Sequence, residues 1–339
     1  MENRYKKQQL FRPIGARGQT SIAGSTVAII GCGALGSAAA DLLARAGVGT
    51  LLIIDRDYVE MSNLHRQSLY TEKDACDMIP KVVAAKKRLA EVNSDVKVEV
   101  WMDHADAALI EKLAATSDIL VDGTDNFETR LAINDASLKY GIPWVYAACI
   151  GGSSVIMPFV PDDGACFRCL LPVLPSSGET CDTVGVIAPA VQIAASYQCA
   201  EVMKWLTGNR DALRKELLRI DAWMNEQNQF GLRKMKRPDC PSCGKERTYP
   251  SLNQSQETKA AVLCGRDTIQ LTPAAGRQLT LDDGERIAQQ LDLTRKRTPY
   301  FLQMMYEDSR IVLFANGRLF FHDMQDVNKA MKLYNQLFS

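Results

Sequence analysis

Residues 26–37 read TVAIIGCGALGS. The first five residues have the character of a buried strand, a glycine-rich turn follows, and residues 34–46 continue with the small residues of a helix that packs closely. Gly31-Cys32-Gly33-Ala34-Leu35-Gly36 is therefore a G-x-G-x-x-G run set between a strand and a helix. Glycines at these positions let backbone approach phosphates, and the first N–H groups of a helix are donors for an anion. The next apolar run, residues 50–54, ends at Asp55, which lies 19 residues beyond Gly36, where an acid can hold ribose hydroxyls. This stretch points to a nucleotide-binding α/β unit, and its default occupant is NAD or FAD.

Outward from it, strands and helices alternate. The spacing predicts a helix over residues 81–93, a strand over 96–101, a helix over 105–115, a strand over 118–121, a helix over 127–140 and a strand over 144–149. Such alternation implies right-handed βαβ units in a parallel sheet. The pattern then changes: residues 150–160 read as one or two antiparallel strands, and residues 188–206 as a long apolar helix. Residues 235–260 are polar and contain three prolines, at 238, 241 and 250. Beyond them, residues 299–306, 310–315 and 318–322 read as strands, with Asn316-Gly317 as a hairpin turn, and residues 326–337 as a closing helix. The expected fold is α/β: a Rossmann-like, mostly parallel sheet with helices on both faces, an antiparallel extension and a small α+β C-terminal module. The expected boundaries are a main domain over 1–248, a linker over 249–260 and the module over 261–339.

The chain has 339 residues, 46% of them hydrophobic, and forty basic residues balance forty acidic ones. That balance removes the electrostatic reason to expect nucleic acid or an anionic membrane surface. The segment MENRYKKQQLFRP lacks the apolar core of a signal peptide, so a cytoplasmic location is expected. Ten cysteines in such a chain point to metal or thiol chemistry rather than disulfides.

A polar cluster follows Asp55: Asp57, Asn63, Arg66 and Gln67. Lys81 opens the next predicted helix, and Thr124-Asp125-Asn126 follows the strand DILVDG. Open α/β sheets bind ligands at the carboxyl ends of their strands, so these groups converge. Each alone reads as a solvated charge. Together they suit ATP: Arg66 and Lys81 can neutralise a triphosphate and its departing pyrophosphate, Asp125 can hold Mg²⁺, and Asp55 can hold the ribose. Two C-x-x-C pairs, Cys166/Cys169 and Cys240/Cys243, supply four thiolates for a tetrahedral zinc with no open position. A redox pair is the rival reading, but two such pairs in one chain point to a shared metal.

On these stretches the chain resembles the ThiF/MoeB/HesA family, bacterial relatives of the ubiquitin-activating enzymes. The matching runs are RYKKQ at 4–8, GCGALG, DRDYVEMSNLHRQ at 55–67, IPK at 79–81, TDN at 124–126, CFRC, TCDTVGVIAP at 180–189 and CPSC. The resemblance implies an adenylyltransferase. It would use MgATP to adenylate the C-terminal Gly-Gly carboxylate of a small β-grasp sulfur-carrier protein of ThiS or MoaD type, releasing pyrophosphate, in thiamine or molybdopterin biosynthesis. It implies a nucleotide site of Gly31, Gly33, Ala34, Gly36, Asp55, Asp57, Asn63, Arg66, Gln67, Lys81, Thr124, Asp125 and Asn126. It also implies a homodimer, a sulfurtransferase as a further partner, and Cys181 as a candidate nucleophile. Where the family usually has arginine reaching into the partner subunit's ATP site, this chain has Lys7, which keeps the charge but loses the bidentate fork. Ala34 stands where many members have glycine. The competing expectations are an NAD-dependent oxidoreductase and a non-catalytic zinc scaffold of the same family.

Overall fold

A computed structural model of the chain describes residues 4–171, 184–253, 259–263, 268–273 and 279–338. It divides into two compact units, Met1–Gln254 and Ser255–Ser339.

The first unit is built on an eight-stranded sheet. Its strands are β1 (Thr26–Ile30), β2 (Thr50–Ile54), β3 (Lys97–Trp101), β4 (Ile119–Asp122), β5 (Trp144–Ile150), β6 (Ser153–Phe159), β7 (Glu216–Asp221) and β8 (Glu226–Gly231). Their order is β3-β2-β1-β4-β5-β6-β7-β8. The first five are parallel, and β6, β7 and β8 add antiparallel. The chain order reverses on either side of β1, so the crevice for a ligand opens at the carboxyl ends of β1, β2 and β4.

Strand alternation assigns each side chain to a layer. Val27, Ile29, Leu51, Ile53 and Val121 face helices Ala34–Ala46, Lys81–Val92 and Ala188–Leu206. Ala28, Ile30, Leu52, Ile54, Leu120 and Trp144 face the other way, toward helices Ala107–Thr116 and Phe127–Tyr140. Helices thus cover both faces, and the inner parallel strands β1, β2, β4 and β5 read as largely apolar runs, whereas the edge strand β3, KVEVW, alternates. Small residues let helix Ala188–Leu206 sit directly on helix Ala34–Ala46, where the Cys199 thiol reaches the Ala39 carbonyl at 3.7 Å. Among the described residues, no helix is long and apolar enough to cross a membrane.

Several elements were not expected. Short helices Lys6–Leu10 and Gly15–Ala23 precede β1, and β7 and β8 extend the antiparallel edge. Of the one or two strands expected over 150–160, one forms, β6 (Ser153–Phe159), because β5 itself runs on to Ile150. Residues 249–252, expected in the linker, pack on the first unit through Tyr249 and Leu252.

The second unit is an antiparallel sheet of β9 (Lys259–Leu263), β10 (Thr268–Thr272), β11 (Arg295–Arg297), β12 (Phe301–Tyr306), β13 (Ser309–Phe314) and β14 (Leu319–His322), in the order β11-β12-β13-β14-β10-β9. Helices Leu281–Gln290 and Val327–Phe338 accompany it, and its core includes Ile269, Leu302, Ile311, Leu313, Phe321 and Leu333. The Asn316-Gly317 turn joins β13 to β14, with Gly317 at φ +83°.

Candidate nucleotide and metal sites

Three glycines lock the loop after β1 to the end of β4. Gly31 has φ +90°, and a Cβ there would lie 2.6 Å from the Gly123 carbonyl oxygen. A Cβ on Gly36 would fall 1.8 Å from the Gly31 oxygen, and one on Gly123 would fall 2.5 Å from it. These residues are glycine for packing. Gly33 is different: a Cβ there meets only Gln67 Nε2, at 3.9 Å, so the space above it is open. Gly33 also caps helix Ala34–Ala46, which has no side-chain cap and no acid in its first turn. Ala34 opens that helix without strain. The open ground at Gly33 suits a bound anion.

Asp55 faces this loop. Its Oδ2 accepts the Cys32 N–H at 2.6 Å and its Oδ1 the Asp57 N–H at 2.7 Å. Burial raises the Asp55 pKa, and nearby Lys81 opposes it. Lys81 is the first residue of helix Lys81–Val92 and is buried, with Nζ 3.1 Å from Asp57 Oδ2. Asp57 therefore holds the lysine. Asn63 and Gln67 are buried on the turn between β2 and that helix, and the oxygens Asn63 Oδ1 and Gln67 Oε1 have no hydrogen-bond partner. Orphaned buried polar atoms are uncommon, and two beside an open cradle fit a polar ligand. Arg66 is half-buried, with Nη1 3.0 Å from the Ser62 carbonyl.

The TDN run follows β4, and its three side chains have different tasks. Thr124 donates its hydroxyl to Asp122 Oδ1 at 2.6 Å. Asn126 Oδ1 accepts the Thr129 N–H at 2.8 Å and so caps helix Phe127–Tyr140. Asp125 is exposed at the sheet edge. Beneath them lies a buried ion pair, Arg130 Nε to Asp122 Oδ2 at 2.9 Å, with Arg130 Nη2 also donating to the Thr124 carbonyl at 2.6 Å. Burial raises the Asp122 pKa and Arg130 opposes it. Gln198 donates to the carbonyls of Asp122 and Val145, both at 2.8 Å, tying helix Ala188–Leu206 to β4 and β5. Arg130 and Gln198 were missed in the sequence. The Asn126 cap one turn before Arg130 was the available signal.

The two C-x-x-C pairs meet. Cys166, Cys169, Cys240 and Cys243 are buried and their sulfurs lie within 4.8 Å of one another. The Cys166–Cys169, Cys166–Cys240 and Cys169–Cys243 separations are 3.9, 3.7 and 3.5 Å. A tetrahedral Zn²⁺ with Zn–S of about 2.3 Å sets its sulfurs about 3.8 Å apart, so the residues fit that ion. Burial drives the Cys166 thiol well above its ordinary range, a cost that a divalent cation reverses. Burial also pushes Cys240 up, but the N–H groups of Cys243 and Ser242 and the neighbouring thiols outweigh it and bring it to about 7. Around the quartet, Asp135 accepts from Arg168 Nη2 at 2.9 Å, from Ser242 Oγ at 2.5 Å and from the Ser251 N–H at 3.0 Å. Asp135 belongs to helix Phe127–Tyr140 and is fully buried, so both cysteine turns are pinned to that helix.

Lys7 is exposed on helix Lys6–Leu10, whose Gln8 donates to the Ala46 carbonyl at 2.9 Å. Ala46 ends the helix that Gly33 begins, about 20 Å away at 1.5 Å per residue. Lys7 thus stands at the opposite end of the sheet from its own chain's glycine loop. Cys181 lies outside the described residues.

Comparison with known proteins places these features in a family. The model of the ThiF family matches residues 5–242. The sulfur carrier protein ThiS adenylyltransferase of Bacillus subtilis is 42% identical over 336 residues, 99% of this chain and 99% of its relative. The molybdopterin-synthase adenylyltransferase of Escherichia coli is 34% identical over 71% of this chain and 96% of its own length. Among solved structures, E. coli MccB with ATP superposes with a TM-score of 0.62 at 23% identity, over 72% of this chain and 75% of that one, a likeness of fold.

Proposed function

The chain belongs to the ThiF family, and on that premise we propose that it is a sulfur-carrier protein adenylyltransferase. It binds MgATP, joins AMP to the C-terminal Gly-Gly carboxylate of a small β-grasp carrier, and releases pyrophosphate. The observation that carries this reading is the convergence of open Gly33, Asp55 facing the glycine loop and exposed Asp125 at the carboxyl ends of three neighbouring strands.

The geometry supports the following roles. The Gly33 loop and the start of helix Ala34–Ala46 receive phosphate oxygens. Asp55, aimed by the Cys32 and Asp57 N–H groups, accepts from ribose hydroxyls. Lys81, held by Asp57, and Arg66 bring positive charge to the triphosphate. Asp125 would hold Mg²⁺, which supplies charge neutralisation at the phosphates. A carrier carboxylate oxygen attacks the α-phosphorus, an acyl–phosphate bond forms, and the bond to pyrophosphate breaks. The attacking carboxylate is already ionised, so no general base is needed, and alignment with charge stabilisation supplies the rate. An acyl-adenylate formed this way is open to a sulfurtransferase. The four cysteines hold a structural zinc.

Two further points belong to this reading. The molecule works as a homodimer in which Lys7 serves the partner's site, since it stands far from its own. The carrier is of ThiS type, because the Bacillus subtilis ThiS adenylyltransferase is 42% identical over 99% of both chains, against 34% for the molybdopterin-synthase adenylyltransferase. An NAD-dependent oxidoreductase would use the glycine loop and Asp55 but leaves Lys81, Asp125 and the cysteine quartet without a role. ATP–pyrophosphate exchange in the presence of purified ThiS-type and MoaD-type carriers is the test. Exchange dependent on the ThiS-type carrier is expected, and a zinc-loaded, folded protein that exchanges with neither sinks the proposal.

A further inference from the structure

Arg237 touches one cysteine of each pair. Its backbone N–H donates to Cys169 Sγ at 3.5 Å, and its carbonyl accepts the Cys240 N–H at 3.2 Å. Arg237 Nε is buried and has no hydrogen-bond partner. Among the described residues Arg237 forms no ion pair. The other arginine at this site, Arg168, is already committed to Asp135, Ser242 and Ser251. Next to Arg237 in the chain, Lys236 is exposed.

A zinc ion with four thiolates carries a net charge of about −2. Placing that charge in a buried pocket is costly unless donors and a counter-charge adjoin it. Arg168 is neutralised by Asp135, which leaves Arg237 as the cation available to the sulfurs. The geometry points to Arg237 as the charge-compensating residue of the metal centre: its backbone N–H donates to the Cys169 thiolate, its carbonyl anchors the Cys240 turn, and its guanidinium, with a buried and unpartnered Nε, supplies the counter-charge that sets how firmly the metal is held. This rests on the zinc reading of the quartet given above. It assigns Arg237 a positioning role that the C-x-x-C spacing does not reveal.

The test uses the full chain purified with its metal. Zinc content is measured first, then the rate of release to excess chromogenic chelator, for wild type, R237Q, R237K and K236Q. R237Q is expected to release zinc at least about tenfold faster, as loss of an outer-sphere partner does at other metal centres. R237K keeps a point charge without the planar fork and falls between, while K236Q matches wild type. A second readout is the sulfur-to-cobalt charge-transfer band of the Co²⁺-substituted protein. It is expected to move to longer wavelength in R237Q, because sulfurs that lose a neighbouring positive charge hold their electrons less tightly. Equal release by R237Q and wild type, with an unmoved band, overturns the proposal while leaving the zinc site intact. Wild-type protein without bound metal overturns the zinc reading and the proposal together. Should R237Q not fold, an R237K that retains zinc as long as wild type overturns it.

Discussion

Replacing Gly36 with alanine separates packing glycines from ligand glycines. The new Cβ would sit 1.8 Å from the Gly31 carbonyl oxygen, where real Cβ contacts are essentially never below 3.0 Å. The carbonyl cannot retreat freely, because Gly123 closes on it from the other side and the Gly31 N–H is fixed to the Ile54 oxygen at 2.8 Å. Overpacking in a well-packed core costs about 1–3 kcal/mol, and a backbone obstacle belongs at the top of that range. At about 2–4 °C per kcal/mol for a domain of this size, the melting temperature of the first unit falls by about 6–12 °C. Gly33→Ala is the matched control, since its Cβ meets nothing closer than 3.9 Å. It should melt within about 2 °C of wild type, a surface-sized effect, yet bind ATP more weakly because the methyl group fills the space left for phosphate. The assays are thermal unfolding followed by circular dichroism and ATP titration by calorimetry. A Gly36→Ala protein as stable as wild type would refute the interlocked loop, and a Gly33→Ala protein with undiminished ATP affinity would remove the cradle.

Asp125→Ala should lower carrier-dependent exchange by about a hundredfold or more with the melting temperature unchanged, because the residue is exposed; retained exchange would exclude it from the reaction. Arg130→Met leaves the Asp122 carboxylate buried without its cation, a change worth about 3–5 kcal/mol, and adding Asp122→Leu should restore part of it; urea denaturation that finds no such recovery rules out the pair as the cause. Cys240→Ser should lose bound zinc and destabilise the first unit by an amount on the order of several kcal/mol, so a full complement of metal in the variant would exclude the quartet. Burial raises the Asp55 pKa, so adenosine binding, which needs the ionised carboxylate, should weaken on acidification while pH is still above the ordinary carboxylate range. Stability runs the other way: the native state holds that proton more tightly than the unfolded chain, so the Asp55 contribution is greatest at low pH and is lost as pH rises through the raised pKa. Asp55→Asn should abolish both trends, and a variant that titrates like wild type would contradict the assignment.

The parallel half of the sheet was legible because its inner strands are buried on both faces and read as largely apolar runs, while the edge strand β3 shows itself by alternation. Strand β8, EQNQFG, was not, because all of its residues are exposed and carry no alternation. Helix Leu281–Gln290 was hidden by Gly284, a poor helix former. Glycine is needed there because a Cβ would lie 2.6 Å from the Leu313 side chain. The short helix Lys6–Leu10 buries no residue of its own and is held in part by the Gln8 bonds to Gln19 and the Ala46 carbonyl, contacts without a periodic signature. In the candidate site, Asp55, Lys81 and Asp125 were legible because strand ends and helix starts fix where they fall. Their supports were not. Asp122 looks like the last residue of an apolar strand until its pairing with Arg130 is seen, and Asp135 meets Ser242 across 107 residues of chain.

Those two unseen supports lie on one helix. Phe127–Tyr140 starts at the Asn126 cap beside Asp125, sends Arg130 back under the TDN loop, and one turn later presents Asn134 and Asp135 to the cysteine turns. Arg130 and Asp135 are separated by about 7.5 Å of helix rise. The helix is buried along most of its length, and the Arg168, Ser242 and Ser251 bonds to Asp135 fix its position from the metal side. A metal that draws the two distant cysteine pairs together therefore does more than close a loop. It holds in place the helix that begins at the TDN loop. A four-cysteine centre with no open position can in this way matter to adenylation without touching the nucleotide.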